Sequence, residues 1–213
     1  MAVVGGDPAA QAGRREERKA QNRAKLLDAA KKVFAEKGFG EATARDIVRE
    51  TDLATGTFYN YFRDKDEVFR ALLREFEVRV RDATLPSRRD TSMPFERRIE
   101  EGARAFYRVV IEDAELFHVL RRNAGTLTLL PTEALFEHGA DDLDEDMELW
   151  KREGDIPGID AEYLQALIAG AAMQVAIKML ERDPPDPDEA ARFMTRALIG
   201  TIHALSADAS SSG

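Results

Sequence analysis

The chain contains no cysteine, which excludes disulfides, thiolate metal sites and cysteine nucleophiles together. Its three histidines, His118, His138 and His203, lie far apart in sequence. No G-x-S-x-G, P-loop, G-x-G-x-x-G or H-E-x-x-H motif occurs, and the serines cluster in loops and in the final residues. The expectation is therefore a protein that is not an enzyme and needs no cofactor. No run approaches the roughly 18 apolar residues of a membrane span, and the opening MAVVGGDPAA has neither the basic start nor the apolar stretch of a leader. A cytoplasmic globular protein is expected from 213 residues of which 44% are hydrophobic. Alternating strand patterns and hairpin turns between strand-like runs are also missing, so the fold class is all-α.

What is present is unevenly charged. The net charge of −9 hides a basic first part, 19 Lys+Arg against 14 Asp+Glu from Arg14 to Arg89, followed by 12 against 25 from Asp90 onward. A basic segment of +5 joined to an acidic remainder of −13 suggests that the first part faces a polyanion, or else that charge merely fluctuates along the chain.

Helical periodicity organises the rest. Residues 1 to about 13 are rich in Ala, Gly and Pro without periodicity, and SADASSSG closes the chain, so both ends read as disordered tails. Leu26, Leu27, Ala30, Val33 and Phe34 form one stripe, predicting a helix over about 22–37 that stops at Gly38. Thr43, with Asp46 three residues on, opens a short second helix ending near Glu50, with Ile47 and Val48 on its buried side.

The stretch TGTFYNYF follows, Thr55 to Phe62. At 100° per residue, Thr55, Phe58, Tyr59 and Phe62 fall within an arc of about 100°, leaving Gly56, Thr57, Asn60 and Tyr61 opposite. Phe58 and Phe62 can anchor this helix on the first two, while the other side offers hydroxyl, amide and phenol groups and a glycine over which a partner approaches the backbone. Short helix, turn over Thr51 to Ala54, and second helix with a polar outer face make a helix-turn-helix, whose second helix reads the DNA major groove.

From about Lys25 to Leu72 the sequence resembles the DNA-binding domain of tetracycline-repressor-like (TetR) regulators. The resemblance is carried by Thr43, Asp46 and Ile47 of T-x-x-D-I, by Gly56 to Phe62, and by Lys65. It covers about a quarter of the chain. It implies DNA contacts from Thr43, Arg45, Thr55, Gly56, Thr57, Tyr59, Asn60, Tyr61 and Lys65. Thr43 is also a helix cap, and Tyr59 sits on the flank of the packing face. Lys65 falls in the first turn of the next helix, where a cation opposes the helix dipole; it is either a phosphate ligand or simply solvated. Upstream, RREERKAQNR (Arg14 to Arg23) can supply an arm to the phosphates, with two glutamates opposing that role. Two departures stand out. Asp52 occupies the turn position where the family has glycine, and a left-handed aspartate is expected there. Ala54 replaces the family's serine cap, leaving Thr55 as the alternative cap.

The expected division is a tail at 1–18, the helix-turn-helix domain at 19–68, a helical ligand-binding and dimerisation domain at 69–206, and a tail at 207–213. Helices are predicted near 64–82, 95–112, 114–122, 132–152, 160–182 and 187–206, with a loop over Leu85 to Pro94. By the resemblance, the last two helices pair with their copies in a homodimer, through Ala166, Ala169, Gly170, Ala171, Ala172, Ile199, Gly200 and Ile202. The middle helices would surround an effector of unknown identity, with Phe106, Phe117, His118, Arg121, Phe136, Trp150 and Met173 as candidate lining residues. Asp142, Asp144, Asp146 and Glu153 have the spacing of a calcium loop. Met147, however, stands where that loop needs glycine, and Leu143, Met147 and Trp150 instead mark an amphipathic helix with an acidic outer face; no metal is expected. The functional expectation is a ligand-responsive homodimeric repressor of a palindromic operator, released by an apolar or amphipathic molecule. The alternative is a helical ligand-binding or interaction protein with a vestigial DNA-binding domain, which Asp52 and Ala54 keep open.

Overall fold

The computed structural model describes residues 8–122, 137–156 and 158–211. These residues form nine α-helices and no strand: α1 (Pro8–Glu41), α2 (Ala44–Arg49), α3 (Thr55–Phe58), α4 (Lys65–Arg88), α5 (Phe95–Glu112), α6 (Ala114–Arg122), α7 (Glu137–Glu153), α8 (Ala161–Leu180) and α9 (Pro187–Ser211). They group into two compact units. The first holds α1 to α3, α4 as far as Leu73, and α6 from Glu115; the second holds α4 from Arg74, α5 and α7 to α9.

In the first unit, α1 begins far upstream of the predicted start. Proline at the first helical position and the strong helix formers of GRREERKAQNR carry it back to Pro8, so residues 8 to 18 are helix and not tail. At its other end Gly38 breaks the helical geometry with φ 78°, a conformation that only glycine adopts cheaply. The core is aromatic. Phe34, Phe39 and Phe69 pack tilted or edge-on with ring centroids 5.0 to 5.7 Å apart, and Leu26, Val33, Ile47 and Leu72 are buried in the same unit. α2 is capped as its sequence predicts. Thr43 Oγ1 accepts from the Asp46 amide at 3.2 Å, and Asp46 accepts from the Thr43 amide at 3.1 Å.

In the second unit, α4 runs past the predicted end at 82 and through Pro86 to Arg88, where a loop was expected. Proline costs one backbone bond in the last turn, and an ion cluster holds that turn in place. Arg88 Nη1 lies 2.8 Å from Asp146, Arg89 Nε 2.9 Å from the other Asp146 oxygen, and Arg81 Nε 3.1 Å from Asp142. Asp142 and Asp146 are therefore buried counter-ions and not part of an acidic outer face. Burial pushes the Asp146 carboxyl upward, opposed by the Arg88 and Arg89 charges. No metal cluster occurs among the described residues. Met147 and Trp150 turn inward as predicted and join Ile99, Ile156, Leu164, Leu198 and Ile202 in one core. Ile202, expected at a dimer face, belongs to this core.

α8 departs from the sequence expectation in another way. It is long and apolar enough to cross a membrane by length and composition, yet few of its residues are buried. Leu164, Ala176 and Met179 face the core, whereas Tyr163 (78% exposed) and Leu167 project outward with Gly170. On α9, Phe193 (63% exposed) and Gly200 likewise face outward, and α9 runs to Ser211, beyond the predicted tail boundary.

The α2 cap makes stability pH-dependent. Hydrogen bonds from Lys37 and then Thr43 hold the Asp46 carboxyl down to about 2 from 3.8. A depressed carboxyl stabilises the fold above its unfolded pKa and loses that contribution as pH falls through the folded one. Asp46→Asn should melt below wild type at neutral pH, and the gap should close between pH 3.8 and about 2; thermal melts across that window measure it.

Candidate nucleic-acid interface and cavity

The stretch Thr55 to Phe62 contains a single α-helical turn, α3, continued by tight turns: the Asn60 and Tyr61 amides donate to the carbonyls of Thr57 and Phe58 at 3.1 and 2.9 Å. It is shorter than the two-turn helix predicted. Ala54 is its N-cap and supplies no side-chain hydrogen bond, nor does Thr55 replace it. The entering turn is tied elsewhere. Thr51 Oγ1 accepts from the Leu53 amide at 3.2 Å, and Asp52 takes Lys25 Nζ at 2.9 Å on both oxygens. Hydrogen bonding to Lys25 holds the Asp52 carboxyl below its ordinary value. Asp52 is not left-handed: among the described residues, only glycines have positive φ.

Phe58 and Phe62 are buried, with ring centroids 5.9 Å apart, and pin this segment to the unit. Opposite them, Gly56 and Asn60 are exposed and Thr57 and Tyr61 half-buried. A Cβ at Gly56 would meet nothing within 4 Å, so the backbone there lies open. Tyr59, predicted on the flank of the packing face, is 62% exposed; its ring stands edge-on to Phe58 and projects away. Thr43, Arg45 and Thr55 are also exposed. Tyr61 is steadied by α1, since Asn22 Nδ2 donates to its hydroxyl at 3.3 Å. Arg23 lies over the Phe62 ring at 5.6 Å.

Lys65 corrects the sequence reading. Its ammonium donates to the carbonyls of Phe39, Gly40 and Ala42 at 2.7, 2.8 and 3.0 Å and sits 4.8 Å from the Phe39 ring centre. A lysine has three N–H donors, so none is left for phosphate, and the lysine is not merely solvated. The start of α4 nevertheless has the cap its sequence predicts, the Glu67 amide donating to Asp64 at 2.8 Å.

The helical form of Arg14 to Arg23 also sorts its charges. At 100° per residue, Arg14, Arg15, Arg18 and Lys19 share an arc of about 140°, while Glu16 and Glu17 fall outside it. Asn22, which reaches Tyr61, lies within the same arc.

The second unit contains a cavity of about 550 Å³, within the range of small-molecule sites. Phe106, Trp150 and Met173 line it. Phe117 does not: it is buried in the first unit, and His118, also in that unit, is exposed. Phe136 and the side chain of Arg121 lie outside the described residues. Arg88 and Tyr107 also line the cavity and had no sequence signal, because Tyr107 reads as core and Arg88 falls in a predicted loop.

Truncation should separate the two faces of Thr55 to Phe62. Phe58→Ala and Phe62→Ala should each destabilise the protein by about 3 to 5 kcal/mol in urea unfolding, Tyr59→Ala by less than about 0.5. Lys65→Met should cost about 2 kcal/mol, because it strands carbonyls that accept from a charge.

Residues 26–72 match the family model for bacterial regulatory proteins of the tetR family. Over 65 residues the chain is 40% identical to the HTH-type transcriptional repressor Rv1474c of Mycobacterium tuberculosis, covering 30% of this chain and 35% of that one. The chain thus spans about a third of the length of the curated relatives it matches. The fold is similar over more of the chain. The fatty acid degradation regulator FadR of Bacillus halodurans superposes with TM-score 0.72 at 23% identity, over 84% of this chain and 94% of that one. FadR of Bacillus subtilis, solved in complex with stearoyl-CoA, superposes with TM-score 0.68 at 18% identity, over 83% and 97%. The helix-turn-helix in residues 26–72 is thus that of the tetR family of bacterial regulatory proteins, in a chain whose all-α fold is similar to that of FadR.

Proposed function

We propose that this chain is a ligand-responsive transcriptional repressor that binds a palindromic operator as a homodimer and is released by a small apolar or amphipathic effector. The observation that carries the reading is the segment from Thr55 to Phe62. Two buried phenylalanines fix it from behind, leaving Gly56, Thr57, Tyr59 and Asn60 free to meet a groove. Thr43, Arg45, Thr55 and Tyr61 stand as further contacts, while Lys65 acts by holding the junction between α1 and α2. The basic arc from Arg14 to Lys19 supplies phosphate contacts that raise affinity without reading sequence.

The dimer reading is supported by the outward faces of α8 and α9. Tyr163, Leu167, Phe193 and Leu205 are large apolar side chains left in water, a pattern that marks an interaction surface. A Cβ at Gly170 or Gly200 would meet nothing within 4 Å in one protomer, so each is open to a close approach by a second copy. The effector reading rests on the largely apolar cavity and on the likeness to a fold solved with stearoyl-CoA.

A band shift with the DNA upstream of the protein's own gene tests the reading. Asn60→Ala should lose discrimination between operator and random DNA, by about 1 to 3 kcal/mol if it contacts a base. Replacing Arg14, Arg15, Arg18 and Lys19 with alanine should weaken both DNAs alike and flatten the salt dependence. Gly200→Arg should give a folded monomer by light scattering that no longer holds two half-sites. Absence of any shift with wild type at low salt would leave the alternative of a vestigial DNA-binding domain.

A further inference from the structure

The cavity of the second unit has a direction, because the helices that wall it lie side by side in alternating sense. Arg79 of α4 pairs with Asp113 at the end of α5. Further along α4, Arg88 crosses Gly102, where a Cβ would stand 2.7 Å from the arginine Cγ. α4 and α5 therefore run antiparallel. α5 and α9 do the same, since Arg104 meets Asp188 at 2.6 Å while Ile99 shares a core with Leu198 and Ile202. The start of α8 joins that core through Leu164, and just past its other end Arg182 meets Glu189 of α9 at 2.6 Å.

The lining positions measure the length. They extend from Phe76 to Arg88 on α4, from Ile99 to Tyr107 on α5 and from Glu162 to Met173 on α8. At a helical rise of about 1.5 Å per residue these stretches are about 18, 12 and 16 Å long. A volume of about 550 Å³ spread over about 15 Å leaves a channel about 7 Å across, so the cavity is about twice as long as it is wide.

One long side carries no bulk. Ala166, Ala169 and Ala172 of α8 fall within an arc of about 120° and line the cavity, although the sequence expectation put them at a dimer face. Ala166 and Ala169 are exposed, so a ligand meets this wall directly from solvent. Their methyl groups leave an even apolar surface about 9 Å long. A molecule gains most by touching the channel walls along its whole length, and a body wider than the channel would have to spread helices that the pairs at Asp113 and Asp188 hold together.

We infer that the cavity takes a molecule with one unbranched aliphatic chain, extended along the Ala166, Ala169 and Ala172 wall. At about 1.25 Å per methylene the channel accommodates about ten to fourteen carbons. This rests on the effector reading above and narrows it to a shape: long, thin and unbranched.

1-Alkanols from octanol to hexadecanol share an uncharged head and differ in length alone, and cyclododecanol closes the carbons of 1-dodecanol into a compact ring. Competition binding on the full chain should show affinity rising about fourfold per added methylene and levelling off at about ten to fourteen carbons. 1-Dodecanol should bind about tenfold tighter than cyclododecanol and raise the melting temperature further. Ala172→Phe, which puts a ring into the channel, should move the limit to chains about three carbons shorter. Ala169→Phe, at an exposed position of the same wall, should do likewise and serves where Ala172→Phe fails to fold. A limit that stays put in both variants, as one set by solubility would, or an affinity that climbs without limit to hexadecanol, would overturn the inference. Should cyclododecanol bind as tightly as 1-dodecanol, this inference fails and the effector cavity stands. If neither alcohol stabilises the wild type, both fail.

Discussion

The Lys65 ammonium donates to three carbonyls, those of Phe39 and Gly40 in the last turn of α1, past the break at Gly38, and that of Ala42 between α1 and α2. Carbonyls at a helix end have no intrahelical partner, and a cation among them satisfies several at once while complementing the dipole. Everything that presents the candidate interface follows from that junction. Gly38 permits the break, Lys65 closes it, Thr43 and Asp46 start α2 immediately afterwards, and α2 forms part of the core against which Phe58 is pressed. The lysine's place at the start of α4, unfavourable when α4 is taken alone, is explained by the end of α1.

The same logic of committed charge governs the second unit. Asp142 and Asp146 are buried on α7 and answered by three arginines from α4 and the residue beyond it, Arg81, Arg88 and Arg89. Removing one member of such a cluster leaves an uncompensated buried charge, which costs far more than the intact pairs contribute. The cluster therefore fixes the end of α4 through Pro86, and it pairs both arginines of the cavity lining, Arg81 and Arg88, with buried carboxylates.

α8 divides its circumference three ways. Leu164 and Met179 are buried, Ala169 and Met173 line the cavity, and Tyr163, Leu167 and Gly170 are open. Because all three sides are apolar, the helix has little amphipathic contrast, and its composition alone meets the measure of a membrane span.

Sequence by itself determined what short-range chemistry decides. The Thr43–Asp46 cap, the stop at Gly38, the inward turn of Phe58, Phe62, Met147 and Trp150, and the all-α class all follow from spacings within about two helical turns. Helix ends were less legible, because α1, α4 and α9 extend past the residues whose periodicity marks them. Only the tertiary structure decided which group each polar side chain meets. The partners of Lys65 lie 23 to 26 residues away, and Arg89 and Asp146 are 57 apart. A helical wheel places Tyr59 on an arc with Phe58, yet the chain curls out of helix after Phe58 and turns Tyr59 to solvent. Periodicity tells which residues share a face; what stands opposite that face depends on elements far away in the chain, and that is where Lys65 and Asp146 acquire their roles.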